Sequence, residues 1–237
     1  MKKLMILAIA MMATMNASAQ IEEESWYFTP KIGINIADLT GKLYDPDKAD
    51  SEYDSKLRPL TTFTAGVDFL YAFTDNLGIS FGASYARQGA KTKDDLFHLS
   101  MDYVNIPLML NYYPIANVGL AFKAGVQLGI LTHKVMKVDG VTYDKDYEHT
   151  GVNIIRTYIY RGRPFTTIQG QYVEAEWSKN FNKVDCSIPL AVSFEYKGVQ
   201  LEARYNLGLT QIMKDDDEHS KNSVFQFTLG YKFDLGD

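Results

Sequence analysis

The stretch that decides the fold covers residues 102–132 and reads DYVNIPLMLNYYPIANVGLAFKAGVQLGILT. Every second residue is apolar over 104–112 and again over 118–130, and most residues between them are small or polar, with Lys123 among them. A repeat of two residues is the period of a β-strand, whereas a helix repeats every 3.6 residues. The stretch therefore predicts two antiparallel strands, joined by a turn at 114–117, that share one long apolar face.

A second hairpin of the same design follows about 80 residues later. Residues 187–210 read SIPLAVSFEYKGVQLEARYNLGLT, with an Ile-Pro-Leu strand, a short turn and an alternating strand. The first hairpin carries the same tripeptide at 106–108. Two hairpins of one design suggest a sheet built by repetition.

The same alternation recurs along the chain and predicts eight strands with one apolar and one polar face. Their alternating segments are 28–36, 62–73, 77–88, 104–112, 118–130, 184–196, 199–209 and 225–233. The connections at 74–76, 114–117 and 197–198 are short, whereas those at 38–59, 91–97, 134–182 and 213–222 are longer and polar. Short turns at one end and long loops at the other are typical of outer-membrane barrels, which have an even number of strands in single-chain bacterial examples.

The N-terminus has the pattern of a secretory signal peptide. Lys2 and Lys3 precede an apolar segment over 4–15, and Ala17-Ser18-Ala19 supplies small residues for cleavage. We expect residues 1–19 to be removed and residues 20–237 to form one barrel domain. Only helices and closed barrels satisfy all backbone groups in a bilayer, and no other segment approaches the length of an apolar spanning helix.

The alternative is a soluble periplasmic barrel or sandwich with the apolar face turned inward. Eight strands enclose little volume, so inward Phe, Tyr, Leu and Ile from every strand would overfill the barrel. The pattern favours an all-β, eight-stranded antiparallel up-and-down transmembrane β-barrel with long extracellular loops and both termini in the periplasm. A net charge of −5, and about −7 without the leader, with no basic run, argues against a nucleic-acid partner.

Charged residues on the polar face are expected to fill the barrel as an ion-paired interior plug rather than to line a pore, since aqueous channels need about 16 strands. Loss of Arg204 is expected to leave an interior carboxylate unpaired. The plug comprises Lys31, Asp68, Lys123, Glu195, Glu202, Arg204 and Lys232. Aromatic residues at the short-turn ends are expected to form a periplasmic-side girdle of Tyr71, Phe73, Tyr112, Tyr113, Phe194, Tyr196, Tyr231 and Phe233.

The pattern indicates no catalytic, cofactor or metal site. His98 and His133 fall near the outer ends of adjacent strands, but the pattern places no acid to orient either, and His149 and His219 stand alone in loops. The acidic run 215–218 lacks the glycine and spacing of a dedicated calcium loop, so we interpret it as a solvated external face. The lone Cys186 lies on the apolar face and is interpreted as a small hydrophobic residue.

The segment 134–182 is the longest connection. Its parts 152–160 and 165–177 have the composition of strands around Arg161–Pro164, so strands are expected to extend or form a hairpin beyond the membrane. Such a segment caps the barrel, contacts a partner, or is a surface loop without a fixed role.

Residues 102–113, 202–210 (EARYNLGLT) and 229–233 (LGYKF) resemble the PorT-like outer-membrane β-barrel family. The resemblance covers the mature chain except 134–182. It implies an eight-stranded outer-membrane barrel, and the founding member's link to secretion of surface proteases implies an accessory role in protein export. It supplies no catalytic residues.

The sequence therefore predicts a monomeric integral protein of the Gram-negative outer membrane whose partners are outer-membrane lipids and envelope or secretion proteins. It is expected to act as a scaffold or accessory in envelope assembly or protein secretion. Two alternatives stay open: a surface adhesion or ligand-binding barrel that acts through its loops, and a lipid-modifying enzyme.

Overall fold

A computed structural model describes residues 21–40, 57–92, 97–115, 118–138, 141–143, 154–160, 163–169, 181–212 and 220–236. These residues form twelve strands, and the expected signal peptide and the acidic run 215–218 lie outside them. The strands are β1 (Trp26–Thr40), β2 (Leu57–Thr74), β3 (Leu77–Thr92), β4 (Phe97–Tyr112), β5 (Leu120–Val138), β6 (Val141–Tyr143), β7 (Ile154–Tyr160), β8 (Arg163–Gln169), β9 (Val184–Tyr196), β10 (Val199–Gln211), β11 (Lys221–Tyr231) and β12 (Phe233–Gly236).

Eight long strands close into an antiparallel barrel, as the alternation predicted. Each strand from β1 to β5 pairs with the next, β5 pairs with β9, and β9, β10 and β11 follow in order. The barrel closes where β11 pairs with β1, in a register that runs from Lys31 opposite Gly230 to Thr40 opposite Lys221. The short β12 pairs with the start of β1, and β6 pairs with the end of β5.

The short connections lie at one end of the barrel. Asp75 and Asn76 join β2 to β3, where the Thr74 hydroxyl accepts the backbone N–H groups of Asn76 (3.3 Å) and Leu77 (3.1 Å). Lys197 and Gly198 join β9 to β10 with φ angles of 48° and 81°. Two successive positive φ values match the twist of the flanking strands, and the second falls on glycine, which adopts it without steric cost.

The strands are longer than the sequence indicated. β2 has 18 residues and β5 has 19, whereas about 9–11 residues suffice to cross a bilayer. The additional strand residues lie at the long-loop end, where β3 continues to Thr92 and β5 continues to Val138. Part of the 134–182 segment forms the hairpin anticipated there, with Ile154 to Tyr160 of β7 paired to β8 in a separate two-stranded sheet.

Apolar side chains point outward across the membrane-spanning part of the wall. On β4, Ile106, Leu108, Leu110 and Tyr112 are all about half exposed, whereas Asn105 and Asn111 on the other face are buried. In a membrane, lipid acyl chains rather than water surround this outward face, and apolar side chains are stable in contact with them. In the described part of the chain, no helix has the length and apolarity needed to cross a membrane.

Leu108→Arg tests which face meets lipid. The arginine would lie near the middle of the apolar band, by which we mean the outward apolar residues of the membrane-spanning wall. A charged side chain facing lipid there lowers the free energy of unfolding by about 2–4 kcal/mol. We expect that loss in the free energy of unfolding from phospholipid vesicles, measured by urea titration. Ser100→Arg is the matched control, because Ser100 lies on the same strand and the same face but beyond the band, and its effect should be below about 1 kcal/mol. Equal losses in the two variants would contradict the assigned lipid face.

Candidate functional site

Five of the seven predicted plug residues form one ionic cluster in the middle of the barrel. They come from β1, β2, β5 and β10, and all are at most 8% exposed: Lys31, Asp68, Lys123, Glu202 and Arg204. Buried charges are tolerated only when they are paired and hydrogen-bonded. The closed wall brings these strands within side-chain reach of one another across the narrow lumen.

Glu202 is the centre of the ionic cluster. Its Oε2 lies 2.6 Å from Lys123 Nζ, and its Oε1 lies 2.7 Å from Arg204 Nη2 and 3.8 Å from Lys31 Nζ. Arg204 also donates from Nε to the same Oε1 at 2.9 Å. One carboxylate therefore contacts all three cations of the cluster.

Asp68 is the second acid of the cluster. It forms an ion pair and hydrogen bond with Lys31, and its Oδ2 lies 3.7 Å from Arg204 Nη2. The cluster thus holds three cations and two carboxylates. If Arg204 is removed, Lys31 still pairs with Asp68 and Lys123 still pairs with Glu202. The expectation that loss of Arg204 leaves a carboxylate unpaired is therefore wrong. Loss of Glu202, in contrast, leaves three cations with one carboxylate.

The other two plug residues, Glu195 and Lys232, form a separate pair nearer the short turns. Glu195 Oε2 lies 2.6 Å from Lys232 Nζ, and the ammonium lies 4.6 Å from the centre of the Tyr27 ring. Both charged residues are buried, at 3% and 7% exposure. The plug therefore has two ionic layers along the barrel axis.

A layer of amides and hydroxyls, whose residues are not among the predicted plug residues, continues the plug toward the long-loop end. Gln226 donates from Nε2 to Asn35 Oδ1 (2.9 Å) and to Thr64 Oγ1 (3.1 Å). Asp185 accepts from Thr210 Oγ1 at 2.6 Å and from Asn222 Nδ2 at 3.0 Å. Asn35, Thr64, Asp185 and Gln226 stand on the polar face of predicted segments, whereas Thr210 and Asn222 lie just outside the predicted segments 199–209 and 225–233.

Two apolar clusters bound the polar layers. Near the short turns, Ile21 and Tyr27 pack with Leu70, Ala72, Tyr113 and Ala121. The residues before β1 are held there, because the backbone N–H of Glu24 donates to the Ala72 carbonyl (2.9 Å) and that of Ala72 to the Ser25 carbonyl (3.0 Å). At the other end a second cluster comprises Leu39, Ala90, Leu99, Met101, Tyr103, Phe181 and Ile212. The lumen is filled with side chains at several levels.

Seven of the eight predicted girdle residues lie on the outer face of the wall, and Tyr113 does not. Phe73, Tyr112, Tyr231 and Phe233 are more than 40% exposed, and Tyr71, Phe194 and Tyr196 are half-buried on the outer face. Tyr113 is 2% exposed and belongs to the apolar cluster inside the short-turn end. It follows Tyr112 in an extended chain, so its side chain points to the opposite face.

The histidines near the long-loop end have closer neighbours than the sequence suggested. His133 Nδ1 lies 3.5 Å from Asp102 Oδ2, so an acid does face this imidazole, and His98 Nε2 lies 2.9 Å from Ser100 Oγ. His149 and His219 lie outside the described residues. Within the described segments, no group of three or more His, Cys, Asp or Glu residues is arranged to hold a metal ion.

Glu202→Gln tests the assignment of the cluster's centre. The variant keeps the shape of the side chain but leaves three buried cations with Asp68 as the remaining acid of the cluster. We expect a loss of about 3–5 kcal/mol in the free energy of unfolding, measured by urea titration in detergent micelles. Arg204→Met is the comparison, and it should cost less because the two carboxylates retain two lysines. A larger loss for Arg204→Met than for Glu202→Gln would overturn this account.

The chain is similar to several solved outer-membrane proteins at low sequence identity. For Ail, the attachment invasion locus protein of Yersinia pestis, the identity is 12%, the TM-score is 0.42, and the match covers 90% of this chain and 100% of that chain. For OprG from Pseudomonas aeruginosa the values are 13%, 0.42, 90% and 97%. For Neisserial surface protein A they are 8%, 0.44, 88% and 97%.

No curated protein sequence matches the chain significantly. The model of the family described as outer membrane protein beta-barrel domain matches residues 18–214, which is most of the chain. The match includes β1 to β10, whose order and pairing build all but the last strand of the barrel wall. This chain is an integral β-barrel of the Gram-negative outer membrane and belongs to the outer membrane protein beta-barrel domain family.

Proposed function

We propose that this barrel is a non-enzymatic, monomeric scaffold or accessory protein in envelope assembly or protein secretion, and that it acts through its surfaces rather than as a pore. The observation that carries the proposal is the filled lumen. Ionic, amide and apolar layers occupy successive levels, from Tyr27 and Tyr113 near the short turns to Leu99 and Met101 at the far end. Side chains at these levels narrow the lumen along the described part of the wall, which favours action through contact surfaces over diffusion through a wide channel.

The orientation is part of the proposal. A leader over residues 1–19 would direct export, and both termini and the three short turns would face the periplasm. The strand excess at the long-loop end and the aromatic residues at the short-turn end support this arrangement, because outer-membrane barrels keep short turns inside and long loops outside.

The secretion role rests on the resemblance to PorT-like barrels. The two Ile-Pro-Leu segments, 106–108 on β4 and 188–190 on β9, flank β5 on its two sides. The EARYNLGLT segment, 202–210, lies on β10 next to β9 and carries Glu202 and Arg204 of the plug. The residues that carry the resemblance thus form one continuous part of the wall, which supports a shared architecture and extends to export by analogy.

Two alternatives have particular observations in their favour. The β7–β8 hairpin provides ordered strands within the 134–182 segment, which suits a barrel that binds a ligand or surface through its loops. The contact between His98 and Ser100 suits a lipid-modifying enzyme, because a serine nucleophile needs a neighbouring base. Lipid A that gains or loses an acyl group in expressing cells would favour the enzyme.

Capture of partners separates the accessory role from the loop-based role. Cells would express a tagged wild-type barrel or a variant in which residues 139–180 are replaced by a short Gly-Ser turn, and in-cell cross-linking would precede purification. We expect envelope or secretion-machinery proteins to be recovered equally with both, because an accessory contact through the wall or short turns survives the replacement. Partners recovered with the wild type alone would favour the loop-based role, and an absence of envelope partners from both captures would refute the accessory role.

Cysteine labelling checks the orientation. In a Cys186→Ala background, Lys137→Cys lies at the long-loop end and Asp75→Cys lies in the β2–β3 turn, and both positions are exposed. A membrane-impermeant maleimide should label Lys137→Cys on intact cells and Asp75→Cys only after lysis. The reverse pattern would place the termini outside the cell and contradict the proposal.

A further inference from the structure

A group of basic side chains begins where the outer apolar wall of β3, β4 and β5 ends. The last outward apolar row is Tyr85, Val104 and Ile130, paired across the three strands. The next outward row beyond it contains the paired residues Arg87, Asp102 and His133. Because successive outward positions alternate in a strand, the charges start within one step of the lipid-facing band.

Asp102 holds the arginine and histidine side chains of this row in place. Arg87 donates from Nε to Asp102 Oδ1 at 2.6 Å and from Nη2 to Oδ2 at 3.0 Å, a bidentate pair. His133 Nδ1 lies 3.5 Å from the same carboxylate on the other side. Asp102 is buried by these neighbours, whereas the Arg87 and His133 side chains are 42% and 43% exposed. The acid is covered, and the groups that face outward are the guanidinium and the imidazole.

A second row of basic residues lies further along the same three strands. Lys91 on β3, His98 on β4 and Lys137 on β5 are paired in register. Residues 93–96 lie outside the described residues and are not part of the patch. We name the five residues Arg87, Lys91, His98, His133 and Lys137 the outer cationic patch.

The wall where β11 pairs with β1, which we call the seam, has a different residue type at the same step beyond its apolar residues. On β1 the outward residue after Ile36 is Asp38, which pairs with Ser223 of β11. Basic residues also lie elsewhere at the long-loop end, since Arg58 on β2 pairs with Lys91 and Lys221 on β11 pairs with Thr40. What distinguishes β3 to β5 is that basic side chains follow the outward apolar row at once and that Asp102 holds two of them there.

We propose that the outer cationic patch binds the phosphate groups of glycolipid in the outer leaflet of the outer membrane. Guanidinium and ammonium groups are the usual protein partners of phosphate, and Arg87 directs only two of its five N–H groups at Asp102. The apolar row of Tyr85, Val104 and Ile130 directly below would contact the acyl chains of the same molecule. This adjacency assigns the phosphate to a lipid head group rather than to a free anion. The inference rests on the proposed orientation, in which the long loops face the cell exterior.

Binding is tested with purified barrel refolded in detergent micelles, titrated with lipid A that carries its phosphates and followed by native mass spectrometry. The test variant is Arg87→Gln/Lys91→Gln/Lys137→Gln. The control is Lys183→Gln/Lys197→Gln/Lys221→Gln, which removes the same charge outside the patch. We expect the test variant to bind about tenfold more weakly than the wild type and the control to bind as the wild type does, since each cation near a phosphorylated surface contributes to affinity. Equal binding by all three proteins would overturn the proposal.

Two further arms identify the source of the phosphate. Chemically dephosphorylated lipid A should lose most of the affinity, and inorganic phosphate at millimolar concentration should not compete. Undiminished binding of the dephosphorylated lipid, or full competition by inorganic phosphate, would each refute a lipid phosphate site. Heat-modifiable gel migration checks that each variant is folded, and Lys137→Glu alone, which leaves the Arg87–Asp102 pair intact, should weaken binding if the triple variant does not fold.

These outcomes are independent of the accessory role. Failed partner capture would remove that role and leave lipid A binding to be judged by the titration. If the labelling experiment places Lys137→Cys in the periplasm, the patch does not face the glycolipid of the outer leaflet. That result would refute this inference, whatever the partner capture shows.

Discussion

The structure depends on one geometric constraint: in an extended strand, neighbouring side chains point to opposite faces, and in a closed barrel one face meets the surroundings and the other meets a narrow lumen. The alternation of residue types along most of the wall follows from this division. Where the surroundings are lipid, Leu108 and its outward neighbours are apolar, and the lumen takes the polar residues. The lumen is too narrow for water to solvate charges, so each ion has to find a partner among the side chains of other strands.

The same alternation carries opposite chemistry once the strands leave the membrane. On β4 the inward positions are Asn105 and Asn111 within the band, but Leu99, Met101 and Tyr103 beyond it, while the outward positions change from Ile106 to Asp102 and His98. The strand does not shift its faces; only the surroundings change from hydrocarbon to water. The extended part of the wall is therefore organised like a soluble barrel, with an apolar core that closes the lumen, and the change of chemistry marks the membrane boundary on each strand.

The strands and their two faces could be predicted from the sequence, because they depend on local periodicity. The side-chain contacts between strands could not, because they depend on the register of strands that are far apart in the chain. Eight strands, their faces and the burial of charged residues such as Lys31 and Glu195 follow from alternation alone. That Glu202 would meet Lys123 depends on how far strands are staggered around the barrel, and no local pattern reports this. The same reason explains the wrong role given to Arg204. Tyr113 follows β4 on the inward parity, so nearness to a turn does not by itself place an aromatic side chain on the outer face. The contact between Asp102 and His133 depends on the register of β4 against β5, which shifts between Asp102 and Tyr103.

The pairing of β11 with β1 joins the two ends of the chain, and the amide contact between Asn35 and Gln226 spans 191 residues of sequence. Such a contact carries a large loop-closure entropy and forms only when nearly the whole polypeptide is present. Until then both edges of the growing sheet expose unpaired backbone groups, which are templates for aggregation. Pairing of β11 with β1 therefore removes both exposed edges of the sheet at once.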